Sequence, residues 1–145
     1  MSRVYAKCCG EALQVFDRLS AERFKVEAEA RLAECLVFEG RHREALKVAN
    51  ECLESAAKSP VGGTEALIER SIGYALHQAR QPEEGSAHFD ASLRIARKLK
   101  VEYEVALTLV AMVNTHYPTT QDLLAQSNRI LQKLGVVALP QVPLL

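Results

Sequence analysis

Glu11-Ala12-Leu13-Gln14-Val15-Phe16 and Glu44-Ala45-Leu46-Lys47-Val48-Ala49 are two versions of one phrase, and Pro82-Glu83-Glu84-Gly85 leads into a third related run from Ser86 to Lys98. Apolar residues recurring every three or four positions mark each copy as an amphipathic helix. Self-similarity at a spacing of about 20–50 residues is the signature of a helical repeat, whose units cannot cover their own apolar faces and stack to do so. The usual product is an extended surface for holding another molecule, not a pocket for chemistry.

Working outward from these copies, the same periodicity divides the chain into about seven helices. The first covers roughly Val4 to Leu19, as one helix or two short ones, because Gly10 weakens its middle. Ser20 and Glu22 open a second that runs to Glu39, where Gly40 supplies a left-handed stop. Arg41 to Lys58 is the third, closed by Pro60, Gly62 and Gly63. Thr64 caps a fourth that reaches Arg80, and Pro82 at a first helical position starts a fifth that ends near Leu99. Val101 to His116 is a sixth, apolar nearly all round and therefore expected to be covered on more than one side, with Pro118 ending it. Thr119 and Asp122 form a capping pair for a seventh, closed by Gly135. Residues 1–135 are thus one helical domain, and 136–145 an apolar tail expected to strap over the open end of the stack.

Composition narrows the function classes. Eighteen basic residues balance eighteen acidic ones, so no net field recruits nucleic acid or an anionic membrane. The clusters Arg41-His42-Arg43 and Arg94 to Lys100 read as solvated helix faces, the second favoured near a helix C-terminus. No stretch approaches the roughly 20 apolar residues that span a bilayer, and the start lacks a secretory core; the expected location is the cytoplasm. Cys8, Cys9, Cys35 and Cys52 then read as reduced, small, buried side chains.

Reactive constellations are missing from the sequence. There is no C-x-x-C, H-E-x-x-H, G-x-S-x-G or G-x-x-x-x-G-K-[ST], and His42, His77, His88 and His116 fall on different helices. The expectation is a protein that is not an enzyme and uses no cofactor or metal. A redox or soft-metal site would need Cys35 or Cys52 to approach Cys8-Cys9.

Ile72-Gly73, Leu76, Gly85 and Phe89 stand at offsets where the tetratricopeptide repeat places its Leu-Gly, its second aromatic position, its small residue and its following aromatic, and Leu32, Ala33, Leu36, Ala45, Ala49 and Cys52 match in the preceding unit. The small residues Ala12, Ala45 and Gly85 are 33 and 40 residues apart, against about 34 in that family. The chain resembles a tetratricopeptide-repeat protein, without the family's Trp or the Pro at the unit's end. The resemblance implies an all-α fold of antiparallel helix pairs stacked as a short right-handed α-solenoid, with residues 1–19 an incomplete first repeat or cap. The segment from Ala91 through Tyr103-Glu104-Val105-Ala106-Leu107 to Leu134-Gly135-Val136-Val137-Ala138-Leu139-Pro140 also resembles the C-terminal repeat region of large bacterial regulators of the signal-transduction ATPase type, of which this chain is then an arm or fragment.

In such a stack the first helix of each pair lines a concave side. Family offsets place Glu27, Ala30, Glu34 and Val37 there from one unit and Leu67, Arg70, Tyr74 and His77 from the next. Arg70 is expected to fork onto a carboxylate and Tyr74 to supply rigid contact area. The function implied is a non-catalytic sensor module that binds a protein or peptide in this groove, with self-association through an exposed apolar repeat end as a further contact. The alternative is a small-molecule inducer domain, with the pocket enclosed by the sixth helix and the tail.

Overall fold

The computed structural model describes residues 2–19, 21–58, 62–116 and 120–144. Among them are seven α-helices and no strand: α1 (Ser2–Arg18), α2 (Glu22–Phe38), α3 (His42–Lys58), α4 (Thr64–Gln78), α5 (Pro82–Lys98), α6 (Glu102–Asn114) and α7 (Thr120–Lys133). Each helix packs on its neighbours in sequence, and α4 also touches α2 and α6. No helix is long and apolar enough to cross a membrane among the described residues.

One turn is used again and again. Glu39-Gly40-Arg41, Ala79-Arg80-Gln81 and Leu99-Lys100-Val101 each join two helices through a left-handed middle residue, with φ of 72°, 63° and 57°. In each, the amide of the left-handed residue and the amide after it bond back to the last turn, as in Gly40 N to Val37 O and Arg41 N to Leu36 O, or Arg80 N to His77 O and Gln81 N to Leu76 O. These are the carbonyls a helix end otherwise leaves unpaired. Gly40 is the stop expected from the sequence. Arg80, Lys100 and His116, all at positive φ, are not announced by residue type, and a side chain there costs on the order of 1 kcal/mol.

One expectation left open is settled and one changes. α1 is a single helix through Gly10, since a lone interior Gly costs only about 1 kcal/mol. Gly63, at φ 83°, is the residue before α4, and Thr64 is its first helical residue and makes no side-chain cap. The expected caps at Ser20 and Thr119 and the breaks at Pro60 and Pro118 lie outside the described residues.

Packing is closest between α4 and α5. A Cβ at Gly85 would sit 2.8 Å from Gly73 O, and one at Gly73 would sit 3.0 Å from Gly85 O, so the two backbones meet where neither carries a side chain. Phe89 fills the space beside them, fully buried, edge-on to Tyr74 at 5.3 Å and stacked on His77 at 5.2 Å. Val105, Leu109 and Met112 of α6 complete one core, while Val26, Ala49, Cys52, Ile68 and Ile72 form another under α2, α3 and α4. A buried polar line ties the helices in register: Ser92 Oγ lies 2.7 Å from Ala66 O and 2.8 Å from Thr108 Oγ1, which is itself 2.8 Å from Glu104 O, and the two hydroxyl protons supply two of these three hydrogen bonds at a time. α6 is covered by α4, α5 and α7, as its apolar circumference requires. α1 packs on α2 through the Phe16–Phe24 stack and leaves Val4, Tyr5 and Val15 exposed.

Candidate functional site

The tail does not strap an open end. After α7 it turns back along the face shared by α2, α4 and α6, with Leu139, Pro140 and Val142 lining a cavity together with Val37 and Phe38 of α2, Ser71 and Tyr74 of α4, and Tyr103, Leu107 and Val110 of α6. Gln78, at 3% exposure, holds it there: its Nε2 donates to Val37 O and to Pro143 O, both at 2.8 Å. Val142 reaches the main core cluster. An apolar segment that would be costly to leave in water lies on a face where three helices present apolar walls side by side.

Charges cross the same face in alternating sign. Arg31 pairs with Glu34 at 3.1 Å, Glu34 with Arg70 at 3.5 Å, and Arg70 with Glu104 at 2.5 Å. Arg70 is only 4% exposed and Glu104 6%. A buried guanidinium needs such partners, because leaving one member unpaired is far costlier than the pair is worth. Its two carboxylates come from different helices, so the cluster fixes how α2, α4 and α6 face one another.

The residues proposed from the sequence part company here. Glu34, Arg70 and Tyr74 are brought together on the cavity wall. Arg70 is not free to fork onto a ligand, since Glu34 and Glu104 already occupy it. Tyr74 is buried, and burial pushes its phenol up to about 12 despite a hydrogen bond to the Asn114 side chain and the nearby Arg70 charge. Leu67 is a core residue at 2% exposure. His77 faces α5: its Nδ1 is 2.9 Å from Gly73 O, and its ring lies against the place a Gly85 Cβ would take. Glu27 is exposed and does not line the cavity.

Sequence reasoning missed Arg31, Phe38, Gln78 and Glu104, and it put the sixth helix and the tail on one wall only in the small-molecule alternative. On α4 the inner stripe runs Arg70, Tyr74, Gln78, a strict four-residue step, whereas the family offsets follow Leu67, Arg70, Tyr74, His77. The two share their middle and diverge by a residue at the end, a rotation of about 100° on a helix. The burial of Gln78 is visible only in the structure, and its residue type alone gives no signal of it.

The thiols are distributed unevenly. Cys8 is exposed, Cys9 and Cys35 are half-buried, and Cys52 is fully buried with its Sγ 3.3 Å from Val26 O. Cys35 does approach Cys9, and burial, followed by that neighbour, raises it to about 12. Among the described residues, no three or more His, Cys, Asp or Glu side chains group so as to hold a metal ion. A second depression, about 680 Å³, lies between α1, α2 and α3, with Leu32, Leu36 and Val48 as its apolar wall and Lys7, Arg41, Glu44, Lys47 and Glu51 as its charged one; Arg41 is bound there to Glu44 and Glu39.

No protein-family model matches the chain, and neither a curated protein nor a solved structure matches it.

Proposed function

We propose that the chain is a non-catalytic binding module that takes an extended peptide or protein segment along the face of α2, α4 and α6. The observation that carries this reading is that a segment without helix or strand already lies there, its backbone held by the Gln78 amide and its apolar side chains against three helices. Contacts of α4 with both α2 and α6, added to those between successive helices, support stacked antiparallel pairs of tetratricopeptide type in a right-handed α-solenoid. In that reading the chain is a cytoplasmic sensor arm of a bacterial regulator, working without direct contact to nucleic acid or membrane. The side chains Val4, Tyr5 and Val15, exposed on α1, are the apolar end through which two copies would associate, and light scattering reads that directly.

The inducer-pocket alternative is less well supported. Of the two hollows beside α6 and the tail, the one shared with α2 and α4 is about 160 Å³, below the roughly 300–1,000 Å³ of small-molecule sites. The other, about 390 Å³ and lined by Val110, Asn114 and the tail from Leu139 to Val142 with Leu144, is walled largely by exposed tail residues and does not enclose a ligand. The decisive experiment selects random displayed peptides on the chain and measures their binding to the wild type and to Val110→Asp, which places a charge on the half-buried inner wall. Affinity falling at least about tenfold with helicity unchanged supports the face as the site, as expected for a charge desolvated in an apolar contact; unchanged affinity places the site elsewhere.

A further inference from the structure

Resting on that peptide-binding reading, we infer that residues 136–144 are an intramolecular ligand of the groove, and that the external partner is a segment of the same chemistry. That chemistry is an extended, uncharged chain with an apolar side chain every third residue and proline among them.

The tail shows this period directly. Val136, Leu139 and Val142 are half-buried, while Val137, Ala138, Pro140, Gln141 and Pro143 between them are exposed, Val137 completely. Three residues per turn is the period of the polyproline II helix, a conformation that needs no internal hydrogen bonds. Pro140 and Pro143 are themselves three apart, and each fixes φ near the value this conformation uses, so little freedom is lost on docking. Such a chain offers one apolar edge to the wall and leaves its carbonyls for side-chain donors. Gln78 Nε2 is the donor here, and Pro143 O the acceptor.

Charge selects against other partners. Arg31, Glu34, Arg70 and Glu104 cancel in pairs on the wall, and no charged residue occurs from Leu134 to Leu145. An acidic segment or a terminal carboxylate would find the buried guanidinium already taken. The tail also fits incompletely. A cavity of about 160 Å³ remains beside Leu139, Pro140 and Val142, and Gln78 Oε1 is buried without a hydrogen-bond partner among the described residues. A segment with larger apolar groups at the period positions, and a donor for that oxygen, displaces the tail. Until it does, the short tether keeps the tail at an effective concentration of the order of millimolar.

The test uses a fluorescent peptide with the sequence of residues 136–145, titrated by anisotropy into the full-length wild type and full-length L139D/V142D, with a display-selected peptide as reference. The variant should bind the tail peptide saturably, and the wild type about tenfold or more weakly, as tethered competition requires. Equal affinity, or no binding to a variant of intact helicity, overturns the inference. If the selected peptide binds the variant and the tail peptide does not, the inference falls and the binding face stands; if neither binds, both fall. Should the variant fail to fold, the wild type decides by NMR: excess peptide moves the tail's backbone resonances to random-coil positions, and resonances that stay in place overturn the proposal. A wild-type dimer absent in the variant would show the tail exchanged between copies, and overturns its intramolecular form.

Discussion

Substituting Ala at Gly73 or Gly85 sets two known quantities against each other at one helix crossing. A Cβ at Gly85 would lie 2.3 Å from His77 Nδ1 and 2.8 Å from Gly73 O; one at Gly73 would lie 2.5 Å and 2.6 Å from two carbons of the Phe89 ring and 3.0 Å from Gly85 O. Ala gains about 0.8–1 kcal/mol of helix propensity over Gly. Overpacking costs about 1–3 kcal/mol, and here it falls near the upper end. Phe89 is fully buried against Tyr74 and His77 and has nowhere to swing, while the carbonyl contacts are relieved only by moving whole helices apart. The net expectation is a loss of about 1–2 kcal/mol for each variant, or about 2–8 °C in Tm for a chain of this size. Urea denaturation followed by circular dichroism measures it. Gly10→Ala is the matched control: nothing lies within 4 Å of its Cβ position, so it should gain about 0.5–1 kcal/mol. A double-mutant cycle with His77→Ala separates the two contacts at Gly85, because it removes the imidazole and leaves Gly73 O in place. Gly73→Ala and Gly85→Ala at or above wild-type stability would refute the close approach; complete rescue of Gly85→Ala by His77→Ala would assign the cost to the ring instead.

Arg70→Ala should lower stability by about 3–5 kcal/mol, since it leaves Glu104 buried without its counter-charge, whereas Arg31→Ala, at the exposed end of the chain of charges, should cost under about 1 kcal/mol; urea midpoints distinguish them. Gly40→Ala should destabilise by about 1 kcal/mol, and Arg80→Gly or Lys100→Gly should leave stability unchanged or raise it by up to about 1 kcal/mol, because only Gly takes the left-handed turn without steric cost. Tyr74 and Cys52 are both raised to about 12, chiefly by burial, from ordinary values of 10.0 and 9.0. The unfolded chain therefore loses these protons first and binds fewer of them at alkaline pH, so their contribution is complete below about pH 9 and is lost towards pH 12; Tyr74→Phe should flatten the upper part of that decline in a pH series of urea midpoints. At neutral pH iodoacetamide should modify exposed Cys8 well before buried Cys52, with mass spectrometry reading the order, and equal rates would contradict the burial of Cys52.

The helices were legible because apolar periodicity and Gly40, Pro82 and Gly135 announce most of their bounds. The Gly73–Gly85 crossing falls on positions that the tetratricopeptide resemblance marks as small, but glycine by itself does not announce it, since Gly10 inside α1 has open space at its Cβ position. The ends of α4, α5 and α6 were harder to place, because a left-handed Arg, Lys or His is held by the backbone bonds around it and leaves no mark in composition. The candidate site was only partly readable. Offsets borrowed from a family put Arg70 on the right wall but could not show that Glu104, 34 residues away, neutralises it. Nor does any local property of Leu139 or Val142 say whether they cap an end or fill a groove; that depends on where α7 releases the chain.

The order in which helices touch has a consequence for how the molecule comes apart. α4 is gripped by four others, while α1 meets only α2 and α7 only α6 among the helices. In an array whose contacts are nearly all between neighbours, opening spreads inward from the termini and closing spreads outward from the middle, quickly, because few loops have to be closed. Amide protons of α4 and α5 should thus exchange last, by whole-chain opening, and those of α1 first, by fraying.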